Sequence, residues 1–405
     1  MTYVDAWPAP LCVAIIFAAA SLPSFRFLDV ASEHRGRLAT LDGLRGFLAL
    51  AVFLCHAALY PAFVRDGSWS APPVAFFSGL GQTGVALFFM ITGYLFWSRL
   101  LRERGRPDWA RLYIGRLFRI GPLYLFAVGI MLLLVLRDTG WHRAVPLVQL
   151  TKELVKWLGL GFFYACNING YDQPQFQLAG VTWTLRYEWY FYLSLPVLAL
   201  AARGRLHLPV VLIACCGLLF YVGCTQSPTG VASPACCALL FCLGMATASI
   251  VRESLLPLLP DFWASVAVLA LLLAVLLYWR NATTAVPALL LGICFLLIVS
   301  GTSLFGLLVS RPAVRLGDIS YGIYLLHGLV LGAVFFGLGR HLPGFMSPTD
   351  RWTATVVTGL LLACVSACCH ALIERPGITA GRWCAAIRLS WRVPLALPSV
   401  RRRRA

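Results

Sequence analysis

The chain has 405 residues, of which 60% are hydrophobic and only 12% are charged, and its formal net charge is +17. A charged fraction of about half the usual one excludes an ordinary soluble globular protein and indicates a polytopic membrane protein. The positive-inside rule of membrane proteins explains the excess of basic residues, so no nucleic-acid partner is expected. The sequence contains no C-x-x-C pair and no nucleotide-binding glycine motif, and no metal site is predicted.

Residues 1–38 precede the predicted core. The stretch 9–25 is apolar but is interrupted by Pro10 and Pro23, and no basic residue lies before it, unlike in a secretory signal peptide. Three interpretations stay open for this segment: an extra membrane span, an interfacial helix, or a stretch upstream of the true start.

Ten apolar stretches follow, each long enough to span a bilayer at about 17–25 residues. They cover roughly residues 41–62, 75–98, 118–136, 182–201, 208–224, 234–250, 262–279, 284–309, 318–338 and 353–373. The predicted fold is therefore all-α, a polytopic transmembrane helix bundle of about ten core spans with a possible extra N-terminal helix. No internal repeat divides the spans, so residues 39–376 are read as one domain, followed by a basic tail at 377–405.

The basic residues are distributed unevenly between the two sides of the predicted bundle. Of the 33 arginines and lysines, 23 lie in segments on one side and 8 on the other, while Arg45 and Arg186 lie within spans. Because cytoplasmic loops carry the excess of Lys and Arg, both ends of the core are predicted to be cytoplasmic. The closing arginine run at 401–404 is likewise attributed to the excess of basic residues on the cytoplasmic side.

The first predicted span carries two ionisable residues on one face. Arg45 and His56 are about three helical turns apart, or roughly 16 Å along the axis. Ionisable groups within a span usually face a protein interior or a wet cavity, so both residues are candidates for a functional site. A structural polar contact with a neighbouring helix is the alternative.

Two more arginines lie at the predicted inner surface. Arg116 and Arg119 are at positions i and i+3, so they are neighbours on one helix face. Two guanidinium groups side by side suit a phosphorylated ligand, because arginine binds phosphate in a bidentate manner. Snorkelling of these side chains to lipid headgroups is the ordinary alternative.

The fourth predicted span begins TWTLRYEWYF and runs from outside to inside. Glu188 is then expected roughly 9 Å below the outer surface, where a buried carboxylate needs a partner or a proton. Aromatic neighbours such as Trp183 suit a saccharide, but they equally suit the interfacial aromatic belt. The long outside loop 137–181 contains a Lys-flanked aromatic stretch that is expected to lie in the interface or to re-enter the bundle.

The ninth predicted span places Ser320, Tyr324 and His327 at i, i+4 and i+7, again on one helix face. Counted from the inner surface, His327 lies roughly 14 Å deep, which is close to the depth inferred for His56. Two polar helix faces from distant parts of the sequence are therefore predicted to reach the middle of the membrane together.

Taken in order, these motifs resemble those of the acyltransferase-3 family of integral membrane acyltransferases. The matching segments are LDGLRG at 41–46 with His56, GVALFFMITG at 84–93, Arg116 with Arg119, WTLRYEWYFY at 183–192 and SYGIYLLH at 320–327. The resemblance covers about residues 39–376. Its departures are conservative, with Thr92 and Thr184 where serine is common, and Arg186 is a charge that the pattern does not include.

The resemblance implies a bacterial inner-membrane O-acyltransferase. Such an enzyme moves an acetyl group from cytosolic acetyl-CoA to a hydroxyl of a surface or exported saccharide. Acetyl-CoA is then a co-substrate, and no tightly bound cofactor is expected. The implied partners are acetyl-CoA, a saccharide acceptor and the lipid bilayer.

The resemblance also implies roles for individual residues. The catalytic residues are expected to be His56, Glu188 and Arg45. The donor site is expected to comprise Arg45, Arg116, Arg119, Ser320, Tyr324 and His327, of which the last three would hold either the thioester or His56 in place. The acceptor is expected to contact Trp183, Arg186 and Glu188. His56 would act as a general base on the acceptor hydroxyl or would itself carry the acetyl group.

A transporter or flippase for a saccharide or a small anion is the competing interpretation. Intramembrane arginine, histidine and glutamate residues also mark transport pathways. Paired internal repeats would favour a transporter, and the sequence shows none.

Overall fold

The fold is described from a computed structural model for residues 6–31, 39–72, 74–164, 167–225, 233–255, 259–279, 281–339 and 347–390. Throughout these residues the regular structure is helical, apart from an isolated bridge between Ile168 and Tyr171. The chain is thus an all-α polytopic helix bundle, as the sequence predicts.

The described residues form fourteen α-helices, ten of which follow the predicted apolar stretches of the sequence. They are α1 (Pro8–Ser21), α2 (Ala39–Asp66), α3 (Ala75–Arg102), α4 (Trp109–Asp138), α5 (Leu147–Leu158), α6 (Trp183–Ala202), α7 (His207–Thr225), α8 (Pro234–Arg252), α9 (Asp261–Tyr278), α10 (Ala285–Val299), α11 (Arg311–Asp318), α12 (Ser320–Gly339), α13 (Pro348–Cys369) and α14 (Arg375–Ser390). Two 3₁₀ helices cover Pro23–Ala31 and Pro174–Leu178, and a π-helical turn over His370–Glu374 joins α13 to α14.

Within the described residues, eight of these helical segments are long and apolar enough to cross a membrane. α6 and α10 occupy the other two predicted spans, but α6 is more polar and α10 has only 15 residues. The prediction of one span over 284–309 is wrong in its second half, because α10 ends at Val299. Gly301 and Leu304 then adopt positive φ angles, which a right-handed helix does not tolerate.

The described part of the N-terminal segment packs on the core. α1 and the 3₁₀ helix that follows it form a broken helix with a bend of 75°. Ile16 of α1 packs over Gly359 of α13. Arg315 of α11 forms two hydrogen bonds of 2.7 Å with the Asp29 carboxylate and donates to the Ala20 carbonyl at 2.8 Å. The segment is therefore attached to α11 and α13.

α3 is held against α8 by close contact between the two backbones. A methyl group added at Gly93 would collide with the backbone of Phe241, and one added at Gly244 would collide with that of Met90. Small residues allow membrane helices to approach closely and to gain van der Waals contact. This packing fixes α3, which carries one wall of the cavity described below.

The connection between α4 and α6 folds back into the bundle. The Tyr124 hydroxyl of α4 donates to the Trp157 carbonyl at 2.9 Å, which fixes the end of α5. Further along, the backbone at Ala179 packs directly on Gly328 of α12. α6 consequently begins beside α12, deep in the bundle. The part of the loop that packs on α12 comes after the Lys-flanked aromatic stretch, whose interfacial or re-entrant position stays a prediction.

The predicted tail from residue 377 begins as an ordered helix. α14 packs on α4, where Gly377 and Gly381 both lie against Phe118. Residues 391–405, which include the arginine run at 401–404, lie outside the described residues, as do 1–5 and 32–38 of the N-terminal segment.

Candidate active site

A cavity of about 610 Å³ lies between α2, α3, α4, α6 and α12. Its long direction follows α3, with Arg102 lining one end and Val85 the other. Those two residues are about 25 Å apart along the helix axis. The cavity therefore runs from the arginine-rich side of the bundle towards its middle.

Four arginines line the cavity near its Arg102 end. They are Arg45, Arg102, Arg116 and Arg119. The Arg116 guanidinium lies 4.6 Å from the centre of the Phe96 ring, a cation–π contact that helps to fix its position. A cluster of guanidinium groups in a cavity of this size provides a site for a phosphate-bearing ligand.

Glu188 lies in the same cavity as the arginines. The Tyr192 hydroxyl, one helical turn later, donates to Glu188 Oε2 at 2.5 Å. The Tyr113 hydroxyl of α4 in turn donates to the Tyr192 carbonyl at 2.9 Å. The Glu188 carboxylate also interacts electrostatically with three of the four arginines. It therefore provides a counter-charge for the basic end of the cavity.

The expected position of Glu188 near the outer surface is wrong. The first turn of α6 lies beside α12, because the Thr184 hydroxyl is hydrogen-bonded to the Tyr324 hydroxyl at 2.9 Å. Glu188 lies one turn further towards Ala199, which packs against Gly105 in the loop after α3. The depth estimate failed because the loop before α6 descends into the bundle before the helix starts.

The other end of the cavity is closed by four residues, here called the end wall: Val85, Phe88, Thr184 and Tyr324. The Tyr324 hydroxyl also donates to the Val181 carbonyl at 3.3 Å, and the Phe88 and Tyr324 rings meet edge to face with their centres 5.9 Å apart. The end wall is therefore a connected set of side chains from α3, α6 and α12.

Two histidines meet just beyond the end wall. His56 Nδ1 lies 3.1 Å from His327 Nε2, and the two ring centres are 4.8 Å apart. His56 is half-buried and His327 is fully buried. Neither residue lines the cavity, but Tyr324 of the end wall is one turn from His327, and its ring centre is 6.3 Å from the imidazole.

The backbone contacts of this pair determine where its protons lie. His56 Nδ1 is 2.9 Å from the Val52 carbonyl, and His327 Nδ1 is 3.2 Å from the Ile323 carbonyl. Because a carbonyl can only accept, both Nδ1 atoms carry hydrogen when the rings are neutral. His56 Nδ1–H then also points to the lone pair of His327 Nε2. Since His56 Nε2 has no hydrogen-bond partner within the described residues, its lone pair is available to take a proton.

An aromatic stack covers the histidine pair on the side away from the cavity. The Trp69 ring lies between His56 and Phe176, with ring centres 5.8 Å and 4.6 Å away and small angles between the planes. Trp69 comes from the loop after α2, and Phe176 comes from the folded-in connection before α6. Access to His56 from this side therefore passes Trp69.

The structure brings most of the predicted site residues together. Those that line the cavity are Arg45, Arg116, Arg119, Glu188, Ser320 and Tyr324. His56 and His327 lie beyond its end. Trp183 and Arg186 do not line it: Trp183 packs edge-on to Phe89, and the Arg186 guanidinium lies 5.1 Å from the Tyr164 ring centre.

Sequence reasoning missed Arg102 and Trp69. Arg102 could have been found, because it lies four residues after Ser98 and so shares the face of α3 that lines the cavity. Trp69 gave no signal, since it lies in an irregular loop that reaches His56 only through tertiary packing. Among the described residues, no group of three His, Cys, Asp or Glu side chains is placed to hold a metal ion.

Comparison with known proteins agrees with this picture. The sequence profile of a family described as an acyltransferase domain matches residues 38–370. Acyltransferase MdmB of Streptomyces mycarofaciens is 27% identical over 391 residues, covering 84% of this chain and 91% of that protein. Nodulation protein 10 of Rhizobium leguminosarum bv. viciae is 27% identical over 405 residues, covering 89% of this chain and 98% of that protein.

A shorter similarity links the chain to O-acetyltransferase OatA of Staphylococcus aureus, at 26% identity over 163 residues, covering 39% of this chain and 24% of that protein. No solved structure matches the chain significantly. The family profile nevertheless covers most of the chain, including all five helices that line the cavity. The chain therefore belongs to the acyltransferase-3 family and is a multi-pass membrane O-acyltransferase.

Proposed function

We propose that this enzyme transfers an acetyl group from acetyl-CoA to a hydroxyl of a surface or exported saccharide, in the inner membrane of a bacterium. One observation carries the proposal: a single cavity connects four arginines with an end wall, and two hydrogen-bonded histidines lie directly behind that wall. The names of the relatives add support, because they include an acyltransferase and an O-acetyltransferase.

The arginine end of the cavity is the donor entrance in this proposal. Arg102, Arg116 and Arg119 bind the phosphates of coenzyme A, and the acyl thioester lies towards the end wall. The excess of basic residues on the same side of the bundle supports a cytoplasmic location for this entrance and for both ends of the core. Glu188 balances the arginine charges, and the hydrogen bond from Tyr113 of α4 to the Tyr192 carbonyl holds α6 beside them.

The chemistry requires one base and two substrates. His56 Nε2 takes the proton from the acceptor hydroxyl, and the oxygen attacks the thioester carbonyl. The carbon–sulfur bond then breaks, and the coenzyme A sulfur leaves with the proton that His56 received. The products are an acetyl ester and free coenzyme A thiol. His327 keeps the His56 imidazole in the tautomer whose lone pair is on Nε2 of His56.

The end wall separates the cavity from His56 by a single layer of side chains. His56 is one helical turn after Val52, and Val52 packs directly behind the wall residue Val85. The proposed transfer therefore requires this layer to part when both substrates are bound. Trp183 and Arg186 stay predicted acceptor contacts; Arg186 has a buried Nε atom without a hydrogen-bond partner, which an acceptor oxygen could satisfy.

Purified protein in liposomes tests the proposal. We expect acetyl-CoA to yield free thiol only when an acceptor from a panel of hexose and N-acetylhexosamine oligosaccharides is added, and the product to be a mono-acetylated sugar by mass spectrometry. His56→Ala should abolish the reaction while the variant still inserts and elutes as a folded protein. Accumulation of a labelled oligosaccharide inside the liposomes without thiol release would instead identify a transporter.

A further inference from the structure

We infer that the end wall restricts the donor to short acyl thioesters and that Val85 and Phe88 are the residues that set the limit. The inference rests on the proposed function, because it takes the coenzyme A phosphates to lie at the arginine end. The distance between that end and the wall then decides how much room an acyl group has.

The end wall has no free space behind it. Val52, Ala179 and Val181 form a small cluster of residues that are 1–3% exposed, and Val85 and Tyr324 pack against this cluster. α3 cannot move closer to α2 here, because a methyl group at Gly84 would already lie 2.8 Å from Val52 Cγ2 and 3.0 Å from the Leu48 carbonyl oxygen. In the donor complex without an acceptor, which is the state tested below, the wall therefore does not recede when a longer chain pushes against it.

Hydrogen bonds fix the other half of the wall. The Tyr324 hydroxyl is bound both to Thr184 Oγ1 at 2.9 Å and to the Val181 carbonyl at 3.3 Å. Rotating Tyr324 to make room would break both bonds, and it would remove the aromatic edge that contacts Phe88. Polar groups that lose their partners in a buried site are costly, so this half is also rigid.

With the thioester against the end wall, as the proposed function has it, an acyl group longer than acetyl must occupy volume that side chains already fill. Hydrophobic sites that fit a ligand closely discriminate about 10- to 200-fold for each methylene group. Val85 and Phe88 are the apolar members of the wall, so they are the residues whose size decides where the chain must stop. The proposed donor class is acetyl-CoA and, more weakly, propionyl-CoA.

Donor binding tests the inference without requiring an acceptor. Acetyl-, propionyl- and butyryl-CoA compete with a fluorescent coenzyme A conjugate for the purified protein in nanodiscs. We expect the wild-type protein to prefer acetyl-CoA over butyryl-CoA by about 100-fold or more, because butyryl is two methylene groups longer. Val85→Ala and Phe88→Leu should each reduce this ratio by about tenfold, and Val85→Ile should increase the discrimination against propionyl-CoA.

The matched control is Val268→Ala, which removes the same two methyl groups from a fully buried valine of α9 outside the cavity. Its acetyl-to-butyryl ratio should equal that of the wild-type protein. Equal binding of acetyl- and butyryl-CoA by the wild-type protein overturns the inference, and so does a Val85→Ala ratio that matches the control. If Val85→Ala does not fold, Val85→Ile provides the test. A wall with spare room would accept the added methyl group without any change in the acetyl-to-propionyl ratio, and that result would overturn the inference.

The outcomes also separate the inference from the proposed function. Selective acetyl-CoA binding without thiol release in the presence of any acceptor contradicts only the proposed reaction. Thiol release at equal rates from acetyl- and butyryl-CoA contradicts only the wall as a length limit.

Discussion

His327 Nε2 lies 3.1 Å from His56 Nδ1, although the two residues are 271 positions apart in the chain. Each ring is also held by a carbonyl one turn earlier in its own helix, Val52 for His56 and Ile323 for His327. These three contacts leave Nε2 as the basic atom of His56. Of the two roles expected for His327, holding the thioester or holding His56 in place, we therefore propose the second.

Replacing His327 tests that role. His327→Ala should lower kcat about 10²- to 10³-fold, because His56 loses one of the two contacts that fix its tautomer, while the KM for acetyl-CoA changes little. His327→Gln should recover part of the activity, since its side-chain oxygen can accept from His56 Nδ1–H. The measurement is acceptor-dependent thiol release for His56→Ala, His327→Ala and the double variant. Additive losses would contradict the proposal that the pair acts as a unit.

Arg116 should affect donor binding more than the chemical step. Arg116→Ala removes a guanidinium from the basic end of the cavity and should raise the KM for acetyl-CoA roughly 10- to 100-fold, corresponding to about 1.5–3 kcal/mol for a charged hydrogen bond. Arg116→Lys should restore little, because an ammonium group cannot bind phosphate in a bidentate manner.

Arg99→Ala is the matched control for Arg116. Arg99 is a neighbouring arginine of α3 that pairs with Glu103 at 3.0 Å and does not line the cavity. Its removal should leave the KM within about twofold of the wild-type value, as expected of a surface ion pair. A similar rise in KM for both variants would mean that general surface charge, not the cavity, attracts the donor.

Gly328 should be sensitive to even the smallest side chain. Gly328→Ala places a methyl group against the backbone of Leu178 and Ala179, so the folded-in loop must shift, at a cost of about 1–3 kcal/mol. We expect a lower melting temperature in detergent and a loss of activity, because the same loop supplies Val181 behind the end wall. Gly337→Ala on the same helix meets nothing within 4 Å and should be neutral or slightly stabilising. Equal melting temperatures for the two variants would show that the loop does not pack as described.

Ser249, His207 and Glu253 resemble a hydrolase triad but should have a structural role. His207 lies 3.1 Å from both Ser249 Oγ and Glu253 Oε1, yet Ser249 is fully buried and accepts a hydrogen bond of 2.9 Å from Trp97. Ser249→Ala should cost about 1–3 kcal/mol of stability through the unpaired Trp97 N–H, with kcat unchanged. A serine-directed fluorophosphonate should leave the protein unlabelled. Labelling at Ser249, or loss of activity in the folded variant, would contradict this assignment.

The sequence was sufficient for the helices and for the residues that share a helix face. Arg45 and His56 on α2, and Ser320, Tyr324 and His327 on α12, follow from helical periodicity alone. Counting residues from the helix ends also indicated that the two histidines reach the same depth, and the structure places them in contact. Local geometry is sufficient here because α2 and α12 run uninterrupted through the bundle.

The position of Glu188 could not be obtained in that way. Its depth was counted from an assumed surface position for the start of α6, but that start is set by the contact between Ala179 and Gly328, which is a tertiary contact over about 150 residues of chain. Trp69 is a similar case, because its place beside His56 depends on stacking with Phe176. Information of this kind lies in packing between distant segments, and periodicity does not report it.

The folded-in connection also has a consequence for how the protein is made. Its inner tip rests on α12, which leaves the ribosome long after α4 and α6 have been inserted into the bilayer. Until α12 arrives, Ala179 lacks its contact with Gly328, the end wall lacks Tyr324, and the histidine pair cannot be assembled. A chain interrupted before residue 320 would thus contain most of its helices and still lack the α12 residues that complete the cavity.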